Sequence, residues 1–186
     1  MERDQFTDGE LAALTLAGRQ TAFAELMGRH REPIFRLIRG YVGNADDALD
    51  LVQESFTSAY LHLERYDQSR PMRAWLSRIA INKCRDWARR RKVRRLLLAA
   101  GSLTRAAGDV PDPAPAAPDA MSDREELERL WAAIAELPAN LKEPLILRTI
   151  EGLSQAETAD VLGISEKAVE TRLYRARARL AGLRPV

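Results

Sequence analysis

The stretch GISEKAVETRLYRARARL, Gly163 to Leu180, carries more arginine than a helix needs for solubility. At roughly 100° per residue, Val169, Leu173, Ala176 and Leu180 recur at helical spacing and share one apolar face. Lys167, Thr171, Tyr174 and Ala178 fall opposite them. Glu170 and Arg177 lie on one flank, and Arg172, Arg175 and Arg179 on the other. The chemistry open to such a stripe is polyanion recognition. Guanidinium groups donate to phosphates or guanine edges, and a carboxylate such as Glu170 accepts from a cytosine amino group. A basic amphipathic helix that merely shows a solvated face has the same pattern, so its neighbours must decide.

Those neighbours are LSQAETADVLG. Ser154 with Glu157 forms a capping-box pattern, Gly163 stands where a helix ends through a left-handed residue, and Ser165 can cap the helix that follows. Gln155, Ala159, Gly163 and Val169 thus fall at helix-turn-helix offsets, with Ala159 small because two steeply crossing helices leave little room. In that motif the second helix enters the major groove. Thr171 and Tyr174 are the less decided members of the stripe, since an exposed tyrosine also packs beside such turns.

A second basic track lies in RPMRAWLSRIAINKCRDWARRRK. The pattern predicts a helix from Arg70, with Pro71 at the first helical position. Leu76, Ile79, Ala80 and Trp87 form its buried side, while Arg78, Asn82, Arg85, Arg89 and Lys92 recur on another face bordered by Trp75. Charge for a backbone and flat rings for unstacked bases are what single-stranded nucleic acid requires. Complementing a helix C-terminus accounts for Arg89 to Lys92 but not for Arg78, Asn82 or Arg85. Trp75 and Trp87 also suit a core, because large aromatics ordinarily bury their area.

The remaining readable helix, Ala45 to Leu63, has an expected buried stripe of Leu49, Val52, Phe56, Tyr60 and Leu63. Asp47, Asp50, Glu54 and Leu61 line its other side. That acidic face reads either as solvated, with acids suited to a helix N-terminus, or as a docking surface for a basic partner.

These elements sit in a chain of 186 residues whose 29 basic and 27 acidic side chains nearly cancel, so the placement of charge matters more than its sum. Sparse glycine and β-branched residues, abundant Ala, Leu, Arg and Glu, and no period-two alternation predict an all-α fold. VPDPAPAAPD, Val110 to Asp119, places four prolines in a short span and reads as an extended linker. Leu96 to Gly108 is ambiguous, a linker or a frayed extension of the preceding helix. Two small helical domains follow, 1–95 and 122–186, joined by 96–121, the second opening on a capping-box pattern at Ser122 and Glu125. The single Cys84 and the two histidines, His30 and His62, lack metal-ligand spacing. No signal pattern and no apolar run of about 18 residues is present. We therefore expect a cytoplasmic protein with no membrane insertion, no metal and no cofactor. No nucleophile–base pair or phosphate-binding glycine loop points to an enzyme.

DALDLVQESF, RYDQSRPMRAWLSRIAINKCRDWARRR, a proline-rich linker and ELPANLKEPLILRTIEGLSQAETADVLGISEKAVETRLYRARARL occur in this order. Together they resemble a bacterial RNA polymerase sigma factor of the extracytoplasmic-function (ECF) type, over nearly the whole chain. The resemblance implies a sigma-2 domain, a linker and a sigma-4 domain. It implies that Asp47, Asp50, Leu51, Gln53 and Glu54 dock on the clamp helices of core RNA polymerase. Tyr66, Asp67, Gln68, Ser69, Arg70, Trp75, Arg78, Asn82, Arg85 and Arg89 would recognise and help melt the -10 promoter element, with a flipped base held near the loop. Lys167, Glu170, Thr171, Arg172, Tyr174 and Arg175 would read the -35 element. The linker would thread the polymerase channels, and an anti-sigma factor, in many cases membrane-tethered, would cover the binding faces. Met72 departs from the phenylalanine common in the family, and no further domain separates the two modules, as in the compact ECF type. The rival reading is a free-standing helix-turn-helix regulator that binds duplex DNA without polymerase, usually as a dimer.

Overall fold

The computed structural model describes residues 6–101 and 123–182. The proline-rich segment Val110 to Asp119 and the expected Ser122 cap lie outside the described residues. Within them the chain is helical, with no strand. The helices are α1 (Asp8–Leu16), α2 (Gln20–Val42), α3 (Ala45–Leu61), α4 (Met72–Gly101), α5 (Asp123–Glu136), α6 (Ala139–Thr149), α7 (Gln155–Leu162) and α8 (Glu166–Ala181), with a 3-10 turn at Leu63–Arg65.

Local chemistry sets most of the helix ends. Thr7 and Glu10 form a capping box on α1, and the Asn44 side chain caps α3 by accepting from the Asp47 N–H at 3.0 Å. Gly43 ends α2 at φ 79°, a left-handed conformation that costs glycine no Cβ strain. The Pro71 carbonyl accepts from the N–H groups of Ala74 and Trp75. Pro71 therefore precedes α4, which starts two residues later than expected from the sequence. At its other end α4 runs to Gly101, six residues into the segment expected to be linker.

In α3 the buried positions are Ala48, Leu51, Val52, Ser55, Phe56 and Ala59. The buried stripe is rotated from the expected one, because small residues occupy the centre of the contact where α2 and α4 pack closely. Leu49 and Tyr60 are exposed at its flanks instead, Tyr60 lying edge-on to Phe23 with ring centroids 5.0 Å apart. In α4 the core side comprises Met72, Ala74, Leu76, Ser77, Ala80, Ile81 and Cys84. Met72 is thus a core residue, while Ile79 and Trp87 are half-buried.

The last turns of α2 are buried all round, from Leu37 to Val42, as expected of a helix covered on both sides. One side meets α3 and α4, and the other meets α5 and α6. Gly40 makes the second contact possible: a Cβ there would stand 3.0 Å from the Trp131 ring and 3.1 Å from Ile150 Cδ1. The two helical modules consequently share one continuous core.

Candidate nucleic-acid interface

The turn between α7 and α8 is built as its residue types dictate. The Ser154 hydroxyl accepts from the Glu157 N–H at 3.1 Å, and the Glu157 carboxylate accepts from the Ser154 N–H at 2.7 Å. Hydrogen bonding of its carboxylate to the Ser154 side chain and backbone holds the Glu157 carboxyl below its usual range. Gly163 takes φ 66°, the Ile164 N–H closes onto the Ala159 carbonyl at 3.0 Å, and Ser165 caps α8 at Ala168. The Gln155 side-chain amide donates to the Glu166 carbonyl at 3.2 Å, tying the start of α7 to the start of α8. Val169, Leu173 and Ala176 face the core, which turns the opposite stripe to solvent.

On that stripe Tyr174 is 76% exposed, and Lys167, Glu170, Thr171 and Arg175 are exposed. Arg172 is half-buried on the flank. Lys167 and Glu170 pair at 2.8 Å, and the Thr171 hydroxyl donates back to the Lys167 carbonyl at 2.9 Å. Among the described residues neither Arg172 nor Arg175 forms an ion pair. Five of the six expected -35 residues are therefore exposed together on one side of the helix, and Arg172 borders them half-buried.

The loop before α4 is organised by its own side chains. Asp67 accepts from the Ser69 N–H at 2.9 Å and from its hydroxyl at 2.7 Å, which holds the Asp67 carboxyl below its usual range. The Tyr66 hydroxyl donates to the Arg70 carbonyl at 2.7 Å, and its ring lies 5.3 Å from that of Trp75. Burial pushes the Tyr66 phenol up. Gln68 packs over Gly9 of α1. Tyr66, Asp67, Arg70, Trp75 and Arg78 gather around one cavity of about 620 Å³. Asn82, Arg85 and Arg89 continue the track along α4, Asn82 Oδ1 accepting from Arg85 at 3.4 Å and Arg89 pairing with Asp86.

That track is not open along its length. Arg70 and Arg78 both reach Asp160 of α7, at 2.7 and 2.9 Å. Arg85 grips Glu143 of α6 through Nε at 2.8 Å and Nη2 at 2.6 Å. The Glu143 bond holds the Arg85 guanidinium further up. Beside this pair, Lys142 donates to the carbonyls of Tyr41 and Ala135, and burial pushes its ammonium down. Arg39 pairs with Glu128 across the same boundary. The sequence pattern singles out none of Glu143, Asp160 or Lys142 for any role. An acid and a base before an apolar run read as solvated, and their partners in the first module lie some 58 to 101 residues away.

On α3, Asp50, Gln53 and Glu54 are exposed and line a groove of about 550 Å³ with Thr57, Leu61 and Lys83. Asp47 is half-buried at the helix start. Leu51 does not belong to this surface: it is only 2% exposed and points into the core. Leu61, 65% exposed, supplies the apolar atoms of the face instead.

An all-helical pair of modules, one ending in a helix-turn-helix with a solvent-facing basic stripe and the other carrying a basic–aromatic loop and helix, fits a nucleic-acid-binding protein. Comparison with known proteins agrees with it. Residues 26–94 match the family model for sigma-70 region 2, and residues 127–180 match that for sigma-70 region 4. The RNA polymerase sigma factor CnrH of Cupriavidus metallidurans is 40% identical over 95% of this chain and 93% of its own. The ECF RNA polymerase sigma factor SigM of Mycobacterium tuberculosis is 32% identical over 97% of this chain and 86% of its own. A solved structure of CnrH in complex with the cytosolic domain of CnrY has a TM-score of 0.70 at 36% identity, covering 95% of this chain and 96% of that one. The chain belongs to the RNA polymerase sigma factors of the ECF type, and it is a transcription initiation factor that directs polymerase to promoters.

Proposed function

We propose that this factor divides promoter recognition between two surfaces and docks on polymerase through a third. The exposed stripe of α8, with Lys167, Glu170, Thr171, Tyr174 and Arg175, and the half-buried Arg172 at its edge, reads the -35 element as duplex in the major groove. The cavity of the α4 loop, with the Tyr66–Trp75 ring pair beside Arg70 and Arg78, takes an unstacked base of the -10 strand. Gln68, Ser69, Asn82, Arg85 and Arg89 contact that strand and its phosphates. Asp47, Asp50, Gln53 and Glu54, with Leu61 in place of Leu51, dock on core polymerase. The roles follow the module boundaries expected above, except that α4 carries the first module to Gly101.

The observation that carries this reading is the solvent-facing stripe of α8 behind a fully capped turn, on which neither Arg172 nor Arg175 forms an ion pair among the described residues, a surface suited to a partner of opposite charge. The factor itself performs no catalysis and works in the cytoplasm; among the described residues no helix is long and apolar enough to cross a membrane. CnrH has been solved with the cytosolic domain of CnrY, which supports an anti-sigma factor as a partner here too.

The test mixes the purified chain with sigma-free core polymerase and fragmented genomic DNA of its host, then maps transcript 5′ ends. Starts that share two upstream motifs at fixed spacing and depend on this chain are expected. Specific retention of duplex DNA by the chain alone, with no new starts, would instead establish a free-standing regulator.

A further inference from the structure

We infer that α1 sets the reading conformation of the loop before α4, Gly9 giving the Gln68 side chain a bed and Asp8, tied to α2, holding that bed in place. Both are positioning residues. The inference rests on the -10 assignment proposed above, in which Gln68 contacts the strand. α1 precedes residues 26–94, which match sigma-70 region 2, so that match gives it no role.

Leu11 and Ala12 are buried and anchor α1 in the core of the first module, while its first turn lies at the surface beside the loop. Gly9 stands in that turn, and its φ is not positive, so the backbone makes no demand for glycine there. The space over it accounts for the residue. A Cβ at Gly9 would stand 3.5 Å from Gln68 Oε1, 3.6 Å from Gln68 Cβ and 3.8 Å from Gln68 Cδ. An alanine methyl would touch the amide, and a longer side chain would compete with it for the same space. Among the described residues Gln68 makes no side-chain hydrogen bond. Its amide thus rests on α1 with its donors and acceptor free, and glutamine pairs with an adenine edge through both. A long side chain already laid against a helix loses less freedom on binding than one in open solvent.

The bed is fixed from behind. Thr7 and Glu10 box the start of α1. Asp8 Oδ1 accepts from Arg29 at 3.1 Å, Asp8 Oδ2 lies 2.8 Å from His30 Nε2, and Arg29 also donates to the Phe6 carbonyl at 2.8 Å. Asp8 reaches the loop electrostatically as well: burial is the first cause that pushes the Tyr66 phenol up, and the Asp8 charge is the second. Adjacent residues of α1 therefore address the loop at two points, Gly9 at Gln68 and Asp8 at Tyr66.

The experiment uses the full-length chain with core polymerase on a promoter obtained by the transcript mapping above, each -10 and -35 position varied in turn. Gly9→Leu and Gln68→Ala are each expected to flatten preference at the same -10 position by about fivefold or more, the worth of one good amide–base pair, and to leave -35 preference unchanged. Gly9→Ala should keep the native preference. Gly9→Leu in the Gln68→Ala background should add nothing, because the side chain it displaces is gone. Asp8→Asn keeps the shape, loses the ionic tie to Arg29 and His30, and should move the same position less far. A change with Gln68→Ala and none with Gly9→Leu would overturn the brace and leave the -10 assignment standing. Additive losses, or -10 and -35 preferences falling together, would reduce Gly9 to a structural role and overturn it too. Should Gly9→Leu fail to fold, Asp8→Asn carries the test, and an unchanged -10 preference there overturns the brace. If neither Gln68→Ala nor Gly9→Leu moves any -10 preference, the loop is not the reader and the -10 assignment falls with the inference.

Discussion

The arginines of α8 and those of α4 are the same residue on the same kind of amphipathic helix, yet they meet different surroundings. On α8, Arg175 stands open and unpaired beside a 76% exposed Tyr174. On α4 and the loop before it, Arg70, Arg78 and Arg85 are each bound to a carboxylate of the other module. The open set, on the -35 assignment proposed above, meets a target that arrives preformed, a duplex groove of fixed width, so a reading surface can be finished in advance. The paired set, on the -10 assignment proposed above, meets a target that exists only after strands separate, and its arginines must exchange these carboxylates for phosphates.

The first way to break this contrast is to remove the seam that enforces it. Ile146 is fully buried and touches the Gly40 position, so Ile146→Ala removes core atoms that α2 and α6 share. A loss of about 2–5 kcal/mol of stability is expected, read as a lower denaturant midpoint in which both modules take part. Loss of structure confined to the second module would mean that the modules fold independently and the seam is only a contact.

Arg175→Ala addresses the open side of the contrast. It has no intramolecular partner among the described residues, so its removal leaves stability unchanged. It lowers promoter discrimination at one -35 position by about 1–3 kcal/mol if its guanidinium makes a bidentate base contact. Run-off transcription from promoters varied in the -35 motif checks this; an unchanged -35 preference would take Arg175 out of the reading set.

The two surfaces also differ in how far the sequence reveals them. The turn and α8 are local: Ser154 with Glu157, Gly163, Ser165 and the Val169–Leu173–Ala176 stripe all act within a few residues of one another, and each takes the conformation its type predicts. The α3 stripe is harder to place because Ala48, Ser55 and Ala59, which hold the centre of the contact, are too small or too polar to register as core. Leu51 joins the expected docking face through its neighbours rather than by its own phase, and it is core. The seam leaves no local trace. Glu143 and Asp160 occupy positions that a pattern reads as solvated, and nothing near them in sequence reports an arginine some 58 to 90 residues away.

Asp50→Lys sharpens the contrast from outside it, since the α3 face belongs to neither arginine set. Asp50 is exposed, so reversing its charge leaves the fold and DNA contacts intact. It slows association with core polymerase and weakens it about tenfold, roughly 1.4 kcal/mol, with the deficit shrinking as salt rises. Titration of labelled full-length chain with core polymerase measures it, and an equal loss of thermal stability would trace the effect to folding instead.

The smallest expected effect sits at the edge of the seam, where Glu151 follows α6. Its carboxylate is buried, and neither oxygen finds a hydrogen-bond partner among the described residues. Burial raises its proton affinity above the ordinary value of 4.5, with Arg73 of α4 and Arg36 of α2 pulling it partway back. A carboxyl raised in the folded state contributes stability that is complete below the unfolded pKa and is lost as pH rises through the folded one. Glu10, Asp67 and Glu157, all lowered, act in the opposite sense, losing their contribution as pH falls. Comparing Glu151→Gln with the native chain cancels those three, because both proteins carry them. The amide keeps the shape and does not ionise, so the variant should match the native melting temperature at pH 4 and exceed it by a few degrees at pH 7. A variant less stable at pH 7 would show instead that Arg36 and Arg73 hold the charged carboxylate in place, making Glu151 a further ionic tie between the modules.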